Sequence, residues 1–161
     1  MQENELKTFF ANKKIVLMGV GNTQRGDDSF GPALATKLLK HPHIKSIVCE
    51  ELPENYTDVV KKEKPAVIIF ADVLDFGGEA GETVFLKDKS ALSDRFSSHR
   101  PSLKLVMDYL EYETGAETMI LGVQPSQIAY QEEMSPQIKH SMNSICGFLN
   151  SIDFSAYKEL N

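Results

Sequence analysis

Three short runs in this chain carry almost no polar side chain: Ile15-Val16-Leu17-Met18-Gly19-Val20, Ala66-Val67-Ile68-Ile69-Phe70-Ala71 and Thr118-Met119-Ile120-Leu121-Gly122-Val123. Runs this short and this apolar cannot face water on either side, so they read as strands buried between two layers. Between them the period changes. Phe30, Leu34 and Leu38 recur at i, i+4, i+8, and Leu103, Val106, Met107 and Leu110 at i, i+3, i+4, i+7. A last helix presents Ile138, Met142, Ile145 and Leu149 on one face, with Ser135 as its N-cap and Pro136 at its first position. Buried strands alternating with helices predict a three-layer α/β/α sandwich around a largely parallel or mixed sheet. Residues 46–50 and 83–86 read as further short strands, and Pro53-Glu54 opens a helix running towards Lys64, with Pro65 as its stop. The order of the strands is not legible.

The length of 161 residues suits one domain spanning 1–161. With 42% apolar and 25% charged residues the composition is that of a globular protein rather than a disordered tail. The net charge of −6 argues against nucleic-acid partners, which need clustered positive charge. No apolar run approaches the ~20 residues that cross a bilayer, so no membrane insertion is expected. The start, Met1-Gln2-Glu3-Asn4-Glu5, lacks the basic-then-apolar layout of a secretory signal. Cys49 and Cys146 stand far apart in no CxxC spacing, which indicates neither a disulfide scaffold nor a zinc knuckle. The expected setting is a reduced, cytoplasmic one.

The loop Gly19-Val20-Gly21-Asn22-Thr23-Gln24-Arg25-Gly26-Asp27-Asp28 is the most informative stretch. A dinucleotide fingerprint G-x-G-x-x-G fails because Gln24 stands where the third glycine is required. A phosphate-binding loop is nearer, since Gly21 and Gly26 satisfy G-x-x-x-x-G. The following residues, however, are Asp27 and Asp28 instead of Lys and Ser or Thr. Two carboxylates where a phosphate needs a cation repel the ligand. They suit a cation instead, or either one serves as a cap for the helix beginning near Ser29.

Asp72 ends the second apolar run, and ligands of open α/β sheets bind beyond the carboxyl ends of the strands. A parallel sheet therefore brings Asp28 and Asp72 to one edge. His99 lies just before a helix that begins at Pro101, where the positive end of the helix dipole favours a neutral, metal-donating imidazole. Asp28, Asp72 and His99 together form a mixed oxygen and nitrogen set, suited to a borderline divalent ion such as zinc or nickel and leaving positions for water or substrate. His41 and His43 flank Pro42 in a polar turn and His140 lies on the outer face of the last helix, so none of the three is assigned a role.

Gly19-Val20-Gly21-Asn22, Gly26-Asp27-Asp28 and Gly31-Pro32 together resemble the N-terminal signature of the hydrogenase maturation proteases. Pro53-Glu54-Asn55, Ala71-Asp72, Ser98-His99 and Leu121-Gly122-Val123-Gln124-Pro125 extend the likeness, which runs from about residue 14 to about residue 150. The first and last of these additions point to the HycI-like branch, associated with hydrogenases of the formate-hydrogenlyase type. The resemblance implies an endopeptidase that removes a short C-terminal extension from the large-subunit precursor of a [NiFe] hydrogenase after nickel insertion. It implies Asp28, Asp72 and His99 as the catalytic and metal-reading residues. Asn22, Asp27 and Gln124 are implied as substrate-binding residues lining the cleft. Nickel would arrive with the precursor, and zinc or another divalent ion could occupy the site in vitro. The sequence departs from the family pattern at Cys49-Glu50-Glu51-Leu52-Pro53, where a run of small residues is expected, at Ser98 in place of Thr, and at Ala80-Gly81 in place of Pro-Gly. The first departure bears on which precursor is accepted.

Two other readings accommodate part of the same pattern. A phospho-receiver domain also places acids after its first and third strands, but it wants Lys-Pro after the fifth, where this chain has Gln124-Pro125. A non-catalytic chaperone for the precursor tail would use the same three ligands for binding alone.

Overall fold

The computed structural model describes residues 2–89, 101–126, 128–130 and 132–157. The buried runs form β1 (Ile15–Val20), β3 (Val67–Val73) and β5 (Glu117–Val123) of one sheet. It is completed by β2 (Ile44–Glu50) and β4 (Thr83–Leu86), in the order β2-β1-β3-β5-β4. β1, β2, β3 and β5 are mutually parallel, with Gly19 level with Ala71 and Asp72 level with Gly122. β4 runs antiparallel along β5, pairing Thr83 with Val123 and Leu86 with Ile120, so the sheet is mixed. A phospho-receiver order would instead place five parallel strands as 2-1-3-4-5, and the antiparallel edge strand here departs from it.

Strand alternation sorts the core into two slabs. Ile15, Leu17, Val67, Ile69, Ala71, Met119 and Leu121 face α1 (Glu3–Phe10), α2 (Phe30–Lys37) and α5 (Pro136–Asn150). Val16, Met18, Val20, Ile68, Phe70 and Ile120 face α3 (Thr57–Glu63) and α4 (Pro101–Thr114). The expected sandwich is therefore present, and the predicted faces of α4 and α5 are the buried ones.

The differences from the sequence reading are local. α1 is an element the sequence reading does not include: it buries Leu6 and Phe10 and packs the half-buried Phe9 against the core, a single i, i+3, i+4 set. Its Phe10 ring packs against Phe85 and Phe148, closing one end of the first slab. The segment after Pro53 begins as a 3-10 turn (Pro53–Tyr56) before α3, and Lys64 ends α3 in the left-handed conformation, φ 49°. A second 3-10 turn, Gly26–Ser29, precedes α2.

Candidate active site

In this strand order the chain leaves β1 to one side for β2 and reaches β3 on the other. The crevice at the carboxyl ends of β1 and β3 is thus the topological switch point of the sheet. Asp72, near the end of β3, and the turn that carries Asp28, which packs against β3, both lie at this edge.

Glycine makes the convergence sterically feasible. Gly21, φ 152°, donates its N–H to the Glu50 carbonyl at 2.8 Å, and a Cβ there would collide with the Asp28 carbonyl as the loop folds back over the strand end. Gly31, in the first turn of α2, lies so close to the sheet that a Cβ would strike the carbonyl oxygens of Val20 and Ala71. These contacts seat the start of α2 across β1 and β3. They set the 3-10 turn that precedes it, carrying Asp27 and Asp28, beside the end of β3.

Asp28 is almost fully buried at 1% exposure, and its Oδ2 accepts the Asn22 N–H at 3.2 Å. Asp72 is 4% exposed. It sits inside β3 rather than after it, with Oδ1 accepting the Val73 N–H at 2.8 Å. By alternation with Phe70, it lies on the α3/α4 face of the sheet. Two carboxylates buried at one sheet edge are costly unless each meets donors or a cation, and backbone N–H groups supply part of that need here. His99 lies outside the described residues. Just two residues separate Thr114, the end of α4, from Glu117, the start of β5. α4 therefore returns along the sheet, and Pro101, its first residue, stands at the carboxyl edge. Among the described residues no three His, Cys, Asp or Glu side chains are grouped to hold a metal; the sequence-derived set includes His99.

The three residues expected to line the cleft are placed differently from one another. Asn22 borders a cavity of about 430 Å³ together with Gln24, Glu50, Leu52, Asn55 and Tyr56. This is the wall where the sequence departs from the family pattern. A bulge between Gly19 and Val20 in the β1–β2 pairing puts Val20 opposite Glu50, which itself has φ 51°. Bulges of this kind re-aim strand ends next to sites. Gln124 turns instead to the loop after β3: its Oε1 accepts the N–H groups of Phe76 (2.9 Å) and Gly78 (3.1 Å), and its Nε2 donates to Asp75 at 3.0 Å. Asp27 is fully buried and accepts the N–H groups of Ser126 and Ser135, both at 2.7 Å. Neither Gln124 nor Asp27 is set on a cleft surface by these bonds; each ties a loop. Ser29, not an aspartate, occupies the N-cap position of α2, and its hydroxyl donates to the Gly26 carbonyl.

The partners of Asp27 and Gln124 were not identified from sequence. Ser135 was legible as an N-cap, but its pairing with Asp27 spans 108 residues and leaves no local pattern. Of the histidines left without a role, His41 closes its own turn by accepting the His43 and Ile44 N–H groups at Nδ1. His43 stacks on Phe154. A larger groove of about 720 Å³ runs along β4 between α1 and α5 and contains none of the candidate residues.

The family model for hydrogenase maturation protease, HycI, matches residues 51–150, more than half of the chain. The chain belongs to the HycI family of hydrogenase maturation proteases. The crystal structure of a [NiFe] hydrogenase maturation protease HycI from Thermococcus kodakarensis superposes with a TM-score of 0.82 at 33% identity, covering 92% of this chain and 97% of that one. That match extends the likeness beyond the residues of the family model. The solution structure of the endopeptidase HycI from Escherichia coli gives a TM-score of 0.71 at 28% identity, over 82% of this chain and 86% of that one. The hydrogenase 3 maturation protease of Escherichia coli K12 is 29% identical over 134 residues, which is 81% of this chain and 85% of that protein. As a HycI-family member the chain is a peptidase, which sets aside the chaperone and phospho-receiver readings. No helix among its described residues is long and apolar enough to cross a membrane.

Proposed function

We propose that this peptidase removes a C-terminal extension from the large-subunit precursor of a [NiFe] hydrogenase once nickel is in place, and that it reads the metal through Asp28, Asp72 and His99. The observation that carries this reading is the burial of two carboxylates, Asp28 and Asp72, at the switch point of the sheet of a maturation protease. Nickel is part of the substrate in this scheme: held by the precursor, it gains ligands from the enzyme and draws the tail into the crevice. A divalent ion beside the scissile amide stabilises the charge that develops on the carbonyl oxygen. A carboxylate at the same edge accepts a proton from the attacking water and returns it to the departing amine. Zinc or another divalent ion can take the same donors in vitro, and the two unpaired cysteines suit a reducing cytoplasm.

The test is mass spectrometry of precursor incubated with the protein, in nickel-loaded and nickel-free forms. Loss of one discrete C-terminal peptide from the loaded form alone is expected. Cleavage of the metal-free form at the same rate would reject metal reading, and tight association with no cleavage would reject the reaction.

The cavity beside Asn22 supports a role in choosing among precursors. Leu52 is 52% exposed on its rim, an apolar side chain with surface still to bury. Leu52→Ala is expected to raise KM for the cognate precursor roughly fivefold, the equivalent of about 1 kcal/mol of apolar burial, with kcat little changed. Steady-state kinetics on two different precursors checks this, and equal effects on kcat would place Leu52 elsewhere in the reaction.

A further inference from the structure

We infer that Asp27 is the positioning residue for Asp28, anchoring the 3-10 turn that presents it and making no contact with the precursor. The inference rests on the proposed reading of Asp28 as a catalytic residue. Consecutive residues of a 3-10 turn point about 120° apart, so Asp27 and Asp28 cannot serve the same target. Asp28 is directed to the crevice rim, where it holds the Asn22 amide. Asp27 is directed to the segment that joins β5 to α5. Its Oδ2 accepts the Ser126 N–H at 2.7 Å and the Ser135 hydroxyl at 2.9 Å, and its Oδ1 accepts the Ser135 N–H at 2.7 Å and the same hydroxyl at 2.8 Å. Charge-assisted bonds of this length are the strong ones, and the carboxylate also faces the positive end of α5.

The tie has the marks of a built anchor. Ser135 stands at the N-cap of α5 yet makes no side-chain cap bond to the helix; its hydroxyl is given to Asp27 instead. The same two segments are joined twice more, by the Gly26 N–H to the Glu132 carbonyl at 3.0 Å and by the Tyr130 hydroxyl to Gln24 Oε1 at 3.0 Å. Asp27 is the fully buried member of this set. A turn pinned on one side by Asp27 leaves the next side chain little freedom on the other.

Two variants test this from opposite ends of the bond. Asp27→Asn replaces one acceptor oxygen by a donor, and Ser135→Ala removes the hydroxyl without altering any candidate cleft residue. At a temperature well below unfolding, both are expected to lower kcat by about tenfold or more, the cost of a displaced catalytic group, with KM within about twofold. The combined variant should be no slower than Asp27→Asn alone, because the two changes break one interaction. Hydrogen exchange supplies a readout independent of proteolysis: the Asn22 amide, which touches Asp28 and neither substituted residue, should exchange faster in both variants. A raised KM in Asp27→Asn with a silent Ser135→Ala would make Asp27 a substrate contact and overturn the inference. Faster exchange confined to Ser126 and Ser135, with kcat unchanged, would reduce it to a structural tie. If the unmodified protein releases no peptide, the proposed function fails, while the Asn22 exchange still decides whether Asp27 positions Asp28.

Discussion

Asp72→Asn is expected to slow tail removal by about 10²–10³-fold while leaving the fold intact. The carboxamide keeps the oxygen that accepts the Val73 N–H, and it is nearly isosteric, so β3 has no reason to move. What disappears is one negative charge in a site that excludes most water. A unit charge about 4 Å from its counter-charge at an effective dielectric of about 20 is worth about 4 kcal/mol, or nearly three decades in rate. Asp28→Asn should behave alike, since its amide partner Asn22 can still be held, and His99→Ala should join them if the imidazole completes the set. Binding supplies the sharper contrast. The unmodified protein should prefer nickel-loaded precursor over nickel-free precursor, and Asp72→Asn should bind the two with the same affinity. Calorimetric titration of both forms, alongside timed mass spectrometry, measures each arm. An Asp72→Asn variant that cuts within threefold of the parent rate would remove this carboxylate from the chemistry.

The sheet edge that carries the two candidate acids was legible because strand periodicity defines where β1 and β3 end. Continuous apolar runs identified β1, β3 and β5, and a parallel sheet puts the residues following such runs on one edge. Asp72 needed nothing more, whereas Asp28, in the 3-10 turn beyond the end of β1, was singled out by the acidic charge of the glycine-rich loop. Pairings between distant segments were not legible. The antiparallel course of β4 depends on a turn region whose glycines mark a change of direction but not its sense. α1 offers one short i, i+3, i+4 set, Leu6, Phe9 and Phe10, with no further turn to repeat it. The bonds of Asp27 and Gln124 join residues 108 and 49 positions away, so a sequence window sees an acid in a loop and an amide after a strand. Their types were informative and their partners were not. Both were expected to line the cleft because they fall in segments that match the family pattern. In the fold, one residue along a 3-10 turn is enough to turn a side chain from the crevice to the opposite loop.

The same geometry makes Gly31 a sensitive small residue at the site. Gly31→Ala adds one methyl group where the Val20 and Ala71 carbonyl oxygens already occupy the space and the Val20 nitrogen is 2.6 Å away. These are backbone atoms of two central strands, so they cannot swing aside as a side-chain tip would. α2 must lift from the sheet instead, at a cost of about 3 kcal/mol. For a chain of this length that corresponds to a fall in melting temperature of about 6–12 °C. The displacement falls on the turn that carries Asp28, three residues earlier, so activity should drop even where the protein remains folded. Gly147→Ala is the matched control. Gly147 lies within α5 with no atom within 4 Å of a built Cβ, and there the same methyl group should raise stability by up to about 1 kcal/mol through helix propensity. Thermal melts of the two variants should therefore shift in opposite directions. Equal shifts would mean that the contact between α2 and the ends of β1 and β3 is looser than the packing requires, and with it the placement of Asp28 beside Asp72.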